Sequence, residues 1–252
     1  MRSQSFALFA VLLLAASSDI SAQGRGGRAG GPAPTARAAA PRDLTGTWVS
    51  VVTEQWHLRM LVPPKGEFAM LPLNAEARKL AMAFDASKEP AAEQCRSYGA
   101  AAIMRVPGRF HIQWADDNTL RMDIDSGTQT RMFRFGASVP PNQPLDWQGY
   151  SVANWEALGA RRGAMPTQLH VRTTRLKPGY LRRNGVPYSE GATVDEYFDR
   201  FTEPNGDNWL VATTIVTDPR YLTQPYVTTH HFRKIPDKEG WDPTPCRVDE
   251  AR

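Results

Sequence analysis

The segment TVDEYFDRFT, residues 193–202, brings a carboxylate and a guanidinium within reach of each other. In a strand, side chains alternate between two faces, so Glu196, Phe198 and Arg200 would share one face. In a helix, Thr193 and Glu196 would form a capping box, and Glu196 would only hold the helix end. The β-branched and aromatic residues, and the turn that follows, favour the strand. Facing an interior, Glu196 and Arg200 would bind or polarise a ligand; facing solvent, they would form a weak surface ion pair.

His170 is the third candidate catalytic residue and lies in a strand-like segment between Leu169 and Val171. An enzyme would use Glu196 as general acid or base, with Arg200 and His170 polarising the substrate. The five histidines lack the HxH or HExxH spacing of metal sites, so we predict no metal. The sequence has no Gly-x-Ser-x-Gly elbow and no glycine-rich phosphate loop after a strand, and it predicts no cofactor.

Aromatic and hydroxyl side chains near the same segments are candidate ligand-binding residues, because rings stack on ligands and hydroxyls orient them. For the aromatic members, the alternative is packing in the core or at its rim. The candidates are Trp155, Thr174, Tyr188, Ser189 and Tyr226.

Strand-like segments rich in β-branched and aromatic residues position these side chains. Short turns separate many of them, which is typical of an antiparallel meander. Residues 74–84 predict one short helix, capped by Asn74. So many strands bury their inner faces and protect their edges in a sandwich or a closed barrel. We therefore predict an all-β, lipocalin-like β-barrel. The strand-like segments are 43–53, 101–106, 109–114, 119–125, 128–135, 147–157, 167–176, 208–218 and 225–234.

The N-terminus predicts export. Residues 1–22 combine a short basic start, an apolar run and small residues at the cleavage region, as in a signal peptide, and the run is too short to span a membrane. Residues 23–42 read as a disordered Gly/Ala/Pro/Arg linker, and residues 43–252 as a single domain. We expect a periplasmic or secreted protein with no integral membrane segment after signal removal.

The net charge of +4 comes from the first 42 residues, which carry five arginines and one aspartate. The remaining chain carries 25 basic and 25 acidic residues, so the sequence predicts no nucleic-acid partner. The sequence predicts a small-molecule ligand, and it does not indicate an oligomeric state.

Two cysteines, Cys95 and Cys246, fall in the predicted domain. An even pair in an oxidising compartment predicts a disulfide, and no CxxC or nearby histidine pattern suggests zinc. The disulfide would close a loop of about 150 residues and, on loop-closure arguments, contribute roughly 4–5 kcal/mol.

The string LTGTW at residues 44–48 resembles the Gly-x-Trp start of lipocalin-like barrels. The resemblance implies that Trp48 closes the base of the barrel and that an arginine of a late strand packs across it. Arg233, on the last predicted strand, is the expected partner through a cation–π contact. The alternative is a core tryptophan at the end of a sheet.

Four strings in the second half carry a broader resemblance: WE at 155–156, LHVRTT at 169–174, YLRRNGVPYSEGATVDEYFDRF at 180–201 and DPRYLTQPY at 218–226. They are similar to a family of exported bacterial proteins of unknown function with a WEGDTLVV-type strand, a DRxGxPHSD turn, an ERFRR segment and a DPxxYTxPW turn. Tyr188 stands where the family often has histidine, so no role of that histidine carries over. The family implies export and the position of a site, but no chemistry. The matching positions are Thr174, Gly185, Pro187, Ser189, Glu196, Phe198, Arg200, Asp218, Pro219, Thr223 and Pro225.

The leading hypothesis is an exported β-barrel that binds a small, partly apolar molecule in its interior. One alternative is an enzyme on the same scaffold, with Glu196 as general acid or base. Another is a structural or partner-binding envelope protein, which would have a filled interior and an exposed apolar patch.

Overall fold

Strands dominate this computed structural model, which describes residues 33–157 and 167–250. The predicted signal peptide and residues 23–32 of the predicted linker lie outside the described residues. The strands are β1 Gly46–Val51, β2 Arg109–Asp116, β3 Thr119–Ile124, β4 Gln129–Phe135, β5 Tyr150–Glu156, β6 Gln168–Thr174, β7 Gly179–Arg182, β8 Val186–Tyr188, β9 Thr193–Thr202, β10 Asn208–Thr217 and β11 Tyr226–Ile235. The α-helices are α1 Trp56–Arg59 and α2 Ala75–Ala83, and the 3-10 segments are Ala86–Lys88, Ala91–Tyr98 and Ile103–Arg105.

Nine of the described strands close a barrel in the order β1-β11-β10-β9-β6-β5-β4-β3-β2. The prediction of an all-β barrel is therefore confirmed. The pattern departs from a simple meander at β4 and β5, which are parallel neighbours joined by residues 136–149. A parallel pair needs such a long connection, because the chain must return to the end at which the first strand began.

A hairpin of β7 and β8 is inserted between β6 and β9 and forms a separate two-stranded sheet. Its turn contains Asn184 and Gly185, and Gly185 has the positive φ of 79° that favours glycine. β6 and β9 pair directly, with Leu169 opposite Phe198. Residues 193–202 thus form a strand, as the residue content favoured.

Residues 101–106 do not form the predicted strand. They contain the 3-10 turn Ile103–Arg105, and every residue from 97 to 106 is buried. The reason is that the side chains of this segment pack into the apolar core on every side, so its apolar run has no exposed face to alternate with. The helix prediction is confirmed by α2, where the Asn74 side chain accepts a hydrogen bond of 2.9 Å from the Ala77 amide.

Large apolar side chains fill one end of the barrel. Trp48 is fully buried and donates its indole N–H to the Leu44 carbonyl at 3.0 Å. Lys234, not the predicted Arg233, lies over the Trp48 ring, at 5.7 Å from its centroid. Alternation along β11 explains this, because Arg233 follows an inward-facing residue and is exposed. The cluster also contains Phe110, Phe133, Phe198 and Phe232.

A second apolar cluster covers the other end, where residues 181–189 are all buried. Its members come from α2, from the β7–β8 hairpin and from inward positions of β9, β10 and β11. The barrel mouth is therefore filled by protein rather than left as an open cup.

Both ends of the domain are tied to the barrel. The predicted disulfide is present, with the Cα atoms of Cys95 and Cys246 5.0 Å apart. Arg42 donates to the carbonyls of Thr167 at 2.9 Å and Arg200 at 2.8 Å, so contacts with the barrel begin before residue 43, where the linker was predicted to end. Among the described residues, no helix combines the length and apolar character needed to cross a membrane.

Candidate functional site

Glu196 lies inside the barrel, fully buried, and its partner is Arg131 of β4. The guanidinium donates to both carboxylate oxygens, at 2.8 Å and 2.5 Å, and also approaches the Thr173 hydroxyl at 3.4 Å. Thr173 in turn shares a hydrogen bond of 2.8 Å with Ser151. Thr214, opposite Glu196 in the register, adds another inward hydroxyl, so a polar layer crosses the barrel between the two apolar clusters.

Arg200 does not pair with Glu196. It lies near the end of β9, half-buried, and donates to the Asp43 carbonyl at 2.8 Å and to the Asn208 side chain at 2.6 Å. Sharing a strand face with Glu196 is not sufficient, because Phe198 stands between them and a nearer arginine occupies the carboxylate.

His170 points away from the barrel interior. Its Nδ1 lies 2.6 Å from Glu156, its Nε2 lies 2.9 Å from Asp195, and its ring stacks on Tyr197 at 4.6 Å. Glu196 follows Asp195 in β9, so its side chain is on the other side of the sheet. The three predicted catalytic residues therefore do not meet at one site.

The predicted ligand-binding residues are also dispersed. Trp155 stacks on Phe135 with ring centroids 5.9 Å apart, and Thr174 is half-buried at the end of β6. Ser189 holds a turn through bonds of 2.7 Å and 2.8 Å to the Asp218 carboxylate.

Tyr188 and Tyr226 are both buried at the filled end of the barrel. Burial, with the negative charge of Asp146, raises the pKa of the Tyr188 hydroxyl. Tyr226 interacts electrostatically with Arg105, which belongs to a cluster of buried arginines.

That cluster consists of four arginines whose residues are each at most 8% exposed. Their sources are α1, the 3-10 turn before β2, the end of β7 and the first residue after β7. They line a cavity of about 20 Å³, together with apolar side chains that include Leu58, Leu61 and Pro63. The arginines are Arg59, Arg105, Arg182 and Arg183.

Backbone carbonyls fix three of the guanidinium groups. Arg59 donates to the Arg105 carbonyl at 3.0 Å, Arg105 donates to the Leu181 carbonyl at 3.2 Å, and Arg182 donates to the Ala69 carbonyl at 2.8 Å. The Arg183 guanidinium lies 4.6 Å from the centroid of the Tyr98 ring. Backbone carbonyls and the Tyr98 ring thus hold these guanidinium groups in place, and not a carboxylate alone.

The electrostatics of the cavity favour an anion. Burial, reinforced by the charges of Arg182, Arg59 and Arg183, lowers the pKa of Arg105 to about 10. Burial likewise lowers the pKa of Arg59, although the Glu54 carboxylate opposes this shift. Glu54 pairs with Arg59 and is shared with His230, whose Nδ1 lies 3.2 Å away.

Several guanidinium nitrogens at the cavity have no hydrogen-bond partner among the described residues. They are Arg59 Nη2, Arg105 Nε and Nη2, and Arg182 Nε and Nη1. Arginine stays protonated in proteins, so these groups cannot become neutral. A buried charge without a partner is costly, and a bound oxyanion would satisfy several such donors at once. The arrangement can therefore bind an anionic group.

Sequence reasoning missed this cluster because its members are scattered from residue 59 to residue 183. The available signal was the pair Arg182-Arg183, which directly precedes the Asn-Gly turn in a segment with otherwise apolar neighbours.

The histidines do not converge on a metal site. His111 Nδ1 lies 3.0 Å from Asp237 Oδ1 near β1, His170 faces outward, and His230 faces inward beside Glu54. In the part of the chain that the structure describes, no three His, Cys, Asp or Glu side chains are grouped as metal ligands.

Comparison of the chain with protein-family models, with curated proteins and with solved structures gives no match. The function must therefore be argued from the residues themselves.

Proposed function

We propose that this protein binds a small organic acid whose anionic group contacts the arginine cavity formed by Arg59, Arg105, Arg182 and Arg183. The observation that carries the proposal is the set of buried guanidinium N–H groups of Arg59, Arg105 and Arg182 that lack a partner among the described residues. A carboxylate accepts several hydrogen bonds, and bidentate contacts with arginine are among the strongest that proteins make.

Charge balance supports an anionic ligand over a neutral one. Of the described carboxylates, Glu54 pairs with Arg59, and Glu250 acts on Arg183 from an exposed position. The three guanidinium charges of Arg59, Arg105 and Arg182 exceed the compensation by Glu54, and a bound anion would lower their mutual repulsion.

The size of the cavity limits the part of the ligand that enters it. A volume of about 20 Å³ holds a group of roughly the size of one water molecule, such as an oxygen of the acid. The remainder of the ligand would extend past the apolar wall.

Binding is proposed here rather than catalysis. Both oxygens of Glu196 accept hydrogen bonds from Arg131, and His170 lies on the outer face of the barrel, which favours structural roles for both. We further propose that the protein acts outside the cytoplasm, in the periplasm or after secretion, because the disulfide fits an oxidising compartment and the sequence predicts a signal peptide. Membership in the exported bacterial family is part of the same proposal.

Isothermal titration of the full domain with benzoate and with benzyl alcohol tests the proposal, at constant ionic strength. We expect benzoate to bind and the alcohol, which has the same ring without the charge, to bind at least tenfold more weakly. Arg105→Met and Arg182→Met should each weaken benzoate binding about tenfold or more. Equal binding of the two probes, or unchanged affinity in both variants, would reject the proposal.

A matched control is Arg172→Met. Arg172 is an arginine with an exposed side chain on the outer face of β6, paired with Asp195. Its substitution removes the same charge from the protein without touching the cavity, so benzoate affinity should stay within twofold of wild type. A comparable loss in this variant would mean that net charge, and not the cavity, determines binding.

A further inference from the structure

An exposed apolar surface lies beside the arginine cavity. Among the described residues, ten large apolar side chains are strongly exposed, and six of them fall between residues 56 and 82. Five of these six form what we call the apolar patch: Trp56, Met60, Leu61, Met70 and Met82. Leu80 lies on the other side of α2 and lines a separate pocket. Isolated exposed apolar residues are ordinary, whereas a group of them marks a binding surface.

The patch is continuous in space and not only in sequence. Trp56 and Met60 are one helical turn apart, joined by a backbone bond of 2.8 Å. Residues 60–74 form the loop between α1 and α2. The Met70 sulfur of this loop lies 3.8 Å from the side-chain amide nitrogen of Gln55, so the loop returns to the start of α1. The Met82 sulfur of α2 lies 3.4 Å from the point at which a Cβ on Gly66 would stand, so this side chain lies beside the segment that contains Gly66. The loop and α2 therefore expose one surface.

Leu61 joins the patch to the cavity. Its residue is 60% exposed and also lines the cavity, beside the guanidinium of Arg59. The part of a ligand that extends out of the cavity past Leu61 would therefore contact the apolar patch. Three of the five patch residues are methionines, whose flexible side chains adapt to varied apolar shapes.

We infer that the ligand is a single-chain amphiphile, with an anionic head at the arginine cavity and a hydrocarbon chain lying along the apolar patch. This inference rests on the proposed function, since it assigns the head group to the same cavity. Charge complementarity places the anionic head at the arginines. Because Leu61 belongs to both the cavity lining and the patch, the hydrocarbon chain would run from Leu61 along the patch. A lipid bilayer and a protein partner are the competing occupants.

The test is a chain-length series of acetate, hexanoate and decanoate, measured by titration calorimetry below the micelle concentration. Burial of each methylene on the patch should raise affinity by about twofold to fourfold, the upper value being that of full burial. Met60→Gln and Met70→Gln together should flatten this rise and leave acetate affinity unchanged, because neither residue lines the cavity. Val227→Gln, which removes an apolar side chain of 55% exposure on β11 outside the patch, is the control and should keep the rise.

The outcomes separate the inference from the proposed function. If the acids bind with equal affinity at every chain length, and Arg105→Met weakens all of them, the cavity binds acids but the patch has no role, and the inference is wrong. If decanoate and decanol bind equally and Arg105→Met has no effect, the proposed function is wrong as well. Co-sedimentation with phosphatidylglycerol vesicles that Met60→Gln with Met70→Gln abolishes, without binding of free decanoate, would assign the patch to a membrane and reject the inference.

Discussion

The ion pair of Arg131 and Glu196 gives the sharpest prediction about the stability of the barrel. Both side chains are fully removed from solvent, and the pair lies between two apolar clusters. Glu196→Gln keeps the shape of the side chain and removes its charge. The Gln oxygen can retain one bond from Arg131, but its NH2 group would face a second N–H donor.

The expected loss of unfolding free energy follows from the charge that remains in the interior. Arg131 would become an uncompensated buried cation, with the Thr173 hydroxyl at 3.4 Å and the Phe133 ring at 5.0 Å as its remaining neighbours. Breaking one member of a buried pair typically costs about 3–5 kcal/mol. Because one hydrogen bond survives, we expect a loss near the lower end, about 3 kcal/mol of unfolding free energy.

Urea unfolding, with the disulfide intact, measures the effect through tryptophan fluorescence. The double variant Arg131→Met with Glu196→Gln should lose less than the sum of the single variants, because no charge is then left unpaired. The control is Glu76→Gln, which breaks a pair with Arg220 at a half-exposed position and should cost under about 1 kcal/mol. A loss below about 1 kcal/mol for Glu196→Gln, or strict additivity in the double variant, would refute this reasoning.

Three further predictions use the same unfolding measurement. Replacing both disulfide cysteines by alanine should cost up to about 4–5 kcal/mol, since the bridge spans 151 positions of sequence, and a reductant should have no effect on that variant. Burial lowers the pKa of His230 to about 4, so the unfolded chain binds more protons below about pH 6.5. Stability should therefore fall by about 3 kcal/mol between pH 6.5 and 4, and less so in His230→Gln. Gly185→Ala would set a methyl group 2.2 Å from the Phe84 ring at a φ of 79°. It should lower the unfolding free energy clearly more than Gly136→Ala, where φ is 64° and the space is open. Equal losses would show that the ring moves aside.

Local patterns in the sequence predicted much of the scaffold. Alternation and β-branched content marked most barrel strands, because the pleat repeats every two residues whatever the tertiary contacts. Asn74 marked the start of α2 for the same kind of reason, since a cap bonds within its own turn. The disulfide was predictable because the chain holds only two cysteines.

Local patterns failed where the environment was unusual. Residues 101–106 have the composition of a strand, but they pack into the apolar core and are buried on every side. The sequence contains no signal for this, since an apolar run fits a strand and a buried turn equally well.

The sequence by itself predicted an all-β domain with one disulfide, and it favoured a strand over a helix for the segment that contains Glu196. Only the tertiary structure decided that Glu196 meets Arg131, that His170 lies outside the barrel, and that arginines from residue 59 to residue 183 surround one cavity. The physical reason is that strand propensity and capping act within a few residues. The partner of a buried charge, in contrast, is chosen by closure of the barrel and by packing of its cap, which bring together residues more than a hundred positions apart.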